Sequence, residues 1–414
     1  MSGFRRPFRL RNYRFQWPAD LLTSWAFEME TLVLGWYVLV ETGSVLLLTV
    51  LASLNYVGTL IAPMFGVIGD RIGHRDLLAM MRVAYAMLAA TLMLLALTGR
   101  LTPTWVMIIV SIMGLIRPSD LGVRAALVAD IMPADLLVGA ISISRTTQDT
   151  ARIAGALSGA GLFAALGIGP VYVAIMCLYV ASTILTLCIK LPARPRPAAG
   201  GAERTPARSP FGDLREGLAH VWTTPQVRAA MWIAFLVNLT AFPLTNGLLP
   251  YVARDIYATN QAGLGYLTAS FATGSLIGSM ALGFVSVARV ARLMIASTSV
   301  WYATLLVFVQ IKTVPVAMAC LMLAGFSQSL SMIAVAVILM RSVDERLRGR
   351  VMGVRMMVIY GLPIGLLAAG SLIDRFGFAV AGTLYAAAGF ALMLGIVLHW
   401  RDYLWPAHAA ANAK

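Results

Sequence analysis

Apolar residues run for about 20 positions at a stretch along this chain, and polar residues gather in the short breaks between the runs. A helix of roughly 20 apolar residues is what a bilayer core requires. Runs of that kind fall near 17–40, 46–68, 78–98, 104–131, 139–164, 170–190, 228–250, 262–287, 291–311, 315–340, 350–373 and 378–400. The pattern predicts an all-α membrane protein of twelve transmembrane helices. Alternate breaks are very short, as at Glu41-Thr42-Gly43-Ser44, Gly99-Arg100-Leu101-Thr102 and Leu166-Gly167-Ile168-Gly169, and none of them can fold as a domain. The longest break, 192–210, is rich in Pro, Arg, Gly and Ala and reads as a flexible linker. Behind it, 211–222 sets apolar residues at helical spacing around Arg215 and Glu216, the pattern of an amphipathic helix at a membrane surface. The expected organisation is a six-helix bundle over 1–190, a linker with its amphipathic helix over 191–226, and a second six-helix bundle over 227–414.

The two halves repeat at an offset of 210 positions. Asp135-Leu136-Leu137-Val138-Gly139 mirrors Glu345-Arg346-Leu347-Arg348-Gly349, and Arg145, Gly155 and Gly167 meet Arg355, Gly365 and Gly377. Parallel six-helix repeats with nested inverted units are a known membrane-carrier plan, and the expected fold is two pseudo-symmetric six-helix bundles. Spans 2, 5, 8 and 11 are rich in glycine, including Gly58, Gly66, Gly283 and Gly370. The GxxxG pairs Gly155/Gly159, Gly274/Gly278 and Gly361/Gly365 predict close helix–helix approach. Spans 3, 6, 9 and 12 hold almost no ionisable residue apart from Arg82 and His399 near their ends, and read as the lipid-facing outer helices.

Composition agrees with the pattern. The chain is 59% hydrophobic and 12% charged, against about 25% charged for a soluble domain. A formal net charge of +14 raises the possibility of a nucleic-acid partner, but the placement of the charges argues against one. Arg5, Arg6, Arg9, Arg11 and Arg14 precede the first run. Lys190, Arg194, Arg196, Arg204, Arg208, Arg215 and Arg228 crowd the central loop, and Arg341, Arg346, Arg348 and Arg350 crowd another. That alternation is the positive-inside signature, with both termini cytoplasmic. The basic N-terminus reads as a cytoplasmic flank of a first span, not as a signal peptide. Cys177, Cys188 and Cys320 lie within apolar runs at no metal-like spacing and are expected to be small buried hydrophobes. There is no GxxxxGK[ST] loop, no HExxH and no nucleophile–base pattern, so neither an enzyme nor a cofactor nor a metal site is expected.

The densest charge between two spans is Gly66-Val67-Ile68-Gly69-Asp70-Arg71-Ile72-Gly73-His74-Arg75, with a weaker echo at Gly283, where Val287 and Ala288 replace Asp70 and Arg71 and Arg292 matches Arg75. The turn resembles the Gly-x-x-x-Asp-Arg-x-Gly-x-Arg loop of the major facilitator superfamily. More narrowly, Arg11-Asn12-Tyr13-Arg14-Phe15, Leu34-Gly35-Trp36-Tyr37-Val38, 124–133, Ala151-Arg152-Ile153-Ala154-Gly155 and 348–353 resemble the bacterial branch of the enterobactin exporter and related drug-efflux proteins. The resemblance implies a proton-driven exporter of a small amphiphilic compound (drug, siderophore or metabolite) in a bacterial inner membrane, working by alternating access; a monomer is expected. Two departures stand out: the Gly-Pro usual in span 5 of antiporters is Gly155-Ala156 here, and Glu30 stands where the branch more often has a neutral polar residue. A proton symporter or facilitator importing a solute, and a non-transporting receptor or scaffold, are the rival readings.

Several residues carry candidate chemistry. Asp70 closes span 2, where the two-repeat plan brings it near Gly349 at the start of span 11; Arg71 or Arg75 is expected to pair with Asp130 at the end of span 4. Gly66, Asp70, Arg71, Gly73, Arg75 and Asp130 are then expected to form a gating latch between the halves that binds no substrate; the alternative is a topogenic charge cluster with no moving role. Glu28 and Glu30 lie midway through span 1, where an ionisable group is usually functional. Two residues apart, they point about 200° from each other, so both cannot face one narrow cavity. Glu30 is the favoured proton carrier, with Glu28 and Asp149 as further candidates; the alternative is a static partner to Arg117 or Arg152. Arg117 with Asp120, and Asp149 with Arg152, have the i, i+3 spacing of local ion pairs. Otherwise Arg117 or Arg152 tunes the carboxylate or meets an anionic substrate. The second half offers Asn238, Asn246, Tyr266, Gln328 and Tyr360 as substrate contacts, with Tyr251, Phe271, Ser327 and Ser329 along the same spans.

Overall fold

A computed structural model gives the structure of the chain and describes residues 6–190, 210–281, 290–343 and 345–404. The described residues are helical almost throughout. In the first half they form α1 (Arg11–Thr42), α2 (Val45–Leu54), α3 (Ala62–Ile72), α4 (His74–Leu97), α5 (Pro103–Ile131), α6 (Ala134–Leu166) and α7 (Ile168–Leu187). The second half has α8 (Pro210–Thr223), α9 (Pro225–Thr240), α10 (Leu249–Tyr251), α11 (Gln261–Ala281), α12 (Val290–Phe308), α13 (Val314–Arg341), α14 (Glu345–Val358), α15 (Gly361–His399) and α16 (Arg401–Leu404). Two π-helical turns, Pro243–Gly247 and Val252–Ile256, join α9 to α10 and follow it. The linker 192–209 and the echo of the opening turn at Gly283 lie outside the described residues.

The sequence sets the helix ends. Ser44 caps α2 by accepting from the Leu47 amide at 3.2 Å, and Thr102 caps α5 through the Trp105 amide at 3.4 Å with Pro103 at the first helical position. Span 2 is expected to be one continuous helix and is bent instead between α2 and α3. The bend falls at the closest helix crossing of the first half: a Cβ on Gly114 would lie 1.9 Å from the Leu54 carbonyl oxygen, and one on Gly58 would lie 2.1 Å from that of Leu115. Span 11 is likewise broken, between α14 and α15. Spans 11 and 12 then run together as one 39-residue helix interrupted at Gly377.

Seven helical stretches are long and apolar enough to cross a membrane, and the bent pair α2–α3 makes an eighth. One stretch, Arg350–His399, holds two spans either side of Gly377. With α11 and the charged helices α1 and α6, the segments make twelve spans in two six-helix bundles. The 210-residue offset returns in the backbone. Gly167 and Gly377 adopt φ values of +80° and +77° at the turn before the last span of each half. Gly155 brings α6 against Trp25 and Glu28 of α1, and Gly365 brings α15 against Leu239 of α9. All three GxxxG pairs work as expected: Gly155/Gly159 face α1, Gly274/Gly278 face Met322 and Phe326 of α13, and Gly361/Gly365 face α9.

The halves meet at the end of the bundle away from the chain termini. Arg254 donates to the Leu39 carbonyl at 2.7 Å, Pro250 packs on Gly35, and Thr49 packs on Gly370. Ser53 donates to the Pro363 carbonyl at 3.3 Å. A seam between α6 and α11 continues this contact toward the middle of the membrane, where Ser279 lies 3.4 Å from Asp149. Two expectations about surface and interior are corrected. Cys177 and Cys188 are exposed, the first on the outward face of α7 and the second just past its end. Arg82 is fully buried within the first half instead of lying at a lipid-facing helix end.

Candidate functional site

Between the halves, where α1 and α2 approach the π-turn after α9, lies a cavity of about 40 Å³. One buried water needs roughly 10–15 Å³ on this measure, so the space suits a small group and not a whole drug-sized molecule. Its walls are mostly apolar: Leu34, Gly35, Leu48, Leu51, Val110, Met113 and Pro250. The polar groups that reach it are Glu30 and Thr31 of α1, Asn55 after α2, Arg117 of α5 and Asn246 of the π-turn.

Glu30 is 3% exposed. Its Oε2 accepts from the Tyr179 hydroxyl at 3.1 Å, and its Oε1 is buried with no hydrogen-bond partner. The Arg117 guanidinium donates to Asn55 Oδ1 at 2.7 Å, to Thr31 Oγ1 at 3.1 Å and to the Phe27 carbonyl at 3.2 Å, and sits 4.2 Å above the Phe27 ring. All of these partners are neutral. A carboxylate and a guanidinium thus line one cavity mid-membrane without forming an ion pair with each other. Such groups are costly there unless the site uses them.

Glu28 points elsewhere, as the helical angle requires: its carboxylate pairs with Arg152 of α6 at 3.4 Å. The expected local pairs do not form. Asp120 pairs with Arg124 one turn further on, and Arg117 turns to α1 and Asn55. Asp149 meets Ser279 across the halves while Arg152 takes Glu28. Arg117, Asp149 and Arg152 each take a partner from another segment over the one three residues away, and Asp120 takes the arginine four residues on.

Sequence reasoning missed the largest charge cluster. Asp20 of α1 binds Arg82 of α4, accepts twice from Gln16 at 2.9 Å and lies 3.7 Å from Arg124 Nε. Arg82 also donates to Thr186 of α7, and Arg124 to Ser24 at 2.8 Å. The missed signal is a third acid, Asp20, in α1 and an Arg in α4, the latter in a run otherwise apolar enough to cross a membrane.

At the terminus end, Asp130 is met by His74 Nδ1 at 2.7 Å and not by Arg71 or Arg75. Arg75 instead pairs with Asp76 and donates to the Ile189 carbonyl at 3.0 Å. The Asp70 side chain is 75% exposed and lies 3.5 Å from His74 within its own turn. Gly73, at φ +98°, allows the tight reversal, whereas Gly66 is exposed with open space around it. Of the proposed substrate contacts in the second half, only Asn246 lines the cavity. Asn238 donates to its own helix at Ala234 and packs on Gly361, beside Tyr360. Gln328 is buried in α13 with Oε1 unpartnered, and Tyr266 is 54% exposed on α11.

Comparison with known proteins places the architecture. Residues 17–360 and again 231–413 match the Major Facilitator Superfamily. Among curated proteins, no sequence relative matches. The fold is similar to the crystal structure of the nucleoside transporter NupG (TM-score 0.71, 13% identity, covering 93% of this chain and 98% of that one). It is also similar to a bacterial homologue of the human lysosomal transporter Spinster, crystallised in an inward-facing, unoccupied conformation (TM-score 0.69, 12% identity, 95% and 96% covered). An auto-inhibited peptide transporter of the POT family gives a TM-score of 0.69 at 12% identity, with 95% and 97% covered.

Proposed function

The chain belongs to the major facilitator superfamily, and from that premise we propose that this transporter is a proton-driven exporter of a small amphiphilic compound, with Glu30 as the proton carrier. The observation that carries the reading is the Glu30 carboxylate: buried at the cavity between the halves, held on one oxygen by Tyr179, unpartnered on the other and free of any ion pair. A carboxylate in such surroundings can exchange a proton as the halves rock and its exposure changes. Glu28, tied to Arg152, is the structural member of the acidic pair. The apolar wall with Asn55, Asn246 and Thr31 suits an amphiphile anchored at one polar end.

In this reading the chain is a monomer in a bacterial inner membrane with both termini cytoplasmic. Contact at the far end then corresponds to an inward-facing state. The Asp70 turn is a latch that engages the start of α14 when the terminus end closes. Its exposed Asp70, paired only within its own turn at 3.5 Å, fits an open latch. Import by proton symport is the second reading. It is favoured by Arg117, whose neutral partners leave it able to take an anion together with a protonated Glu30.

The test is uptake of a fluorescent dye panel, ethidium included, into inverted vesicles carrying a proton gradient. Uptake is expected to collapse with an uncoupler and with Glu30→Gln. Gradient-driven uptake that survives Glu30→Gln in full removes Glu30 as the carrier. Uptake only into right-side-out vesicles replaces export with import.

A further inference from the structure

The terminus end of the second half carries a basic and aromatic cluster that the transport cycle does not use. Arg228 stands in the first turns of α9, with its guanidinium 5.3 Å from the Trp400 ring and 5.9 Å from the Trp222 ring. Its Nη1 donates to the Trp222 carbonyl at 3.1 Å, while its Nε is buried without a partner. Among the described residues no carboxylate lies in ion-pair range of it. Around it, His399 packs edge-on against Trp400 at 4.5 Å, and Arg401 is exposed, spanning 3.5 Å to the equally exposed Asp402. The apolar border faces outward. Leu218 and Trp222, one turn apart on α8, are 44% and 52% exposed, and Leu398 at the end of α15 is 68% exposed.

We propose that this cluster between α8, α9 and α16 is a binding site for the headgroup of an anionic phospholipid, with Arg228 as the phosphate-binding residue. Position, charge and shape point the same way. The site lies at the ends of spans, where tryptophan rings settle at headgroup depth. A guanidinium fixed between two aromatic faces offers its remaining N–H groups as a planar fork, which matches phosphate oxygens. The phosphate supplies the counter-charge that the described residues do not. Leu218, Leu398 and the outer face of Trp222 give the acyl chains an apolar wall leading away from the headgroup. The lipid then pins α8, and through it the connection between the halves, to the membrane surface. α8 is also joined to the gating end of the second half: Glu216 pairs with Arg350 of α14 at 2.6 Å, and Gly217 packs on the Arg350 carbonyl.

The experiment is native mass spectrometry of the purified full chain, titrated with palmitoyl-oleoyl phosphatidylglycerol or with phosphatidylcholine of the same chains. Preferential retention of phosphatidylglycerol is expected. Arg228→Gln should lower that retention about fivefold, the share of one basic side chain near an anionic surface, with phosphatidylcholine unchanged. Arg228→Lys, which keeps the charge but loses the planar fork, should fall between the unsubstituted chain and Arg228→Gln, and Arg100→Gln, at the far end, should retain it. Equal retention of the two lipids, or undiminished phosphatidylglycerol on the Arg228→Gln protein, overturns the proposal. Full displacement of the lipid by inorganic phosphate overturns it in favour of a soluble anion.

Discussion

Replacing Arg82 by leucine removes one member of a cluster that is sealed from water, and the structure sets the size of the effect. Breaking a buried ion pair from one side costs about 3–5 kcal/mol, because the remaining charge stays buried. After Arg82→Leu, Asp20 keeps two bonds from Gln16 at 2.9 Å and Arg124 at 3.7 Å, so the loss belongs at the low end, about 3 kcal/mol. After Asp20→Leu, Arg82 is left fully buried with Thr186 alone, and Arg124 keeps only Asp120 as a counter-charge. That loss belongs at the high end, about 5 kcal/mol. The double variant removes both charges, leaves Arg124 with Asp120 as its counter-charge and leaves Gln16 short of partners, at about 1–3 kcal/mol for an unsatisfied polar group. It should therefore be more stable than the Asp20→Leu protein. The assay is reversible unfolding of the purified chain in mixed micelles with rising dodecyl sulfate, followed by tryptophan fluorescence. The reasoning fails if Arg82→Leu costs no more than Arg100→Leu at an exposed turn, or if the two losses simply add.

Four further outcomes follow from the structure. Gly114→Ala puts a methyl 1.9 Å from the Leu54 carbonyl oxygen and should abolish the monodisperse peak in size-exclusion chromatography. Gly122→Ala, with open space around it, should be neutral or gain up to about 1 kcal/mol in helix propensity. Arg254→Gln removes the charged donor to the Leu39 carbonyl that joins the halves at the far end, a bond worth about 1.5–3 kcal/mol. Spin labels at Glu41 and Asp255 should then show a larger fraction of long distances in double electron–electron resonance. Asp70→Asn should leave the unfolding midpoint unchanged, since Asp70 is exposed in this conformation, yet slow transport in vesicles by weakening the closed state of the opposite end.

Features with a local cause were readable from the chain. Span lengths follow from apolar runs, the halves from the 210-residue offset, and close crossings from GxxxG pairs. The charges were read worst, for one physical reason. The i, i+3 rule ranks partners on one helix surface, but buried side chains choose among every helix that packs on them. Arg117 therefore turned from Asp120 to Asn55, and Asp130 took His74 over the arginines. Arg82 looked like a lipid-facing residue because its partner, Asp20, lies 62 positions away on α1. That Glu30 is buried at the cavity while Glu28 points elsewhere was readable, because depth in a span and helical angle are both local quantities. In the second half the expected polar contacts thinned to Asn246, because the π-turn after α9 decides which side chains reach the cavity.

The Asp20–Arg82–Arg124 cluster also has a consequence for how the chain is made. Mid-helix Asp or Arg costs an isolated helix on the order of 3 kcal/mol on entering lipid. α1 carries Asp20, Glu28 and Glu30, and it is absent from the helices apolar enough to cross alone. Its partners Arg82 and Arg124 emerge from the ribosome 62 and 104 residues after Asp20. α1 is thus expected to stay at the insertion machinery until α4 and α5 arrive, so that the first unit released to the bilayer is a paired set of helices and not a single hairpin.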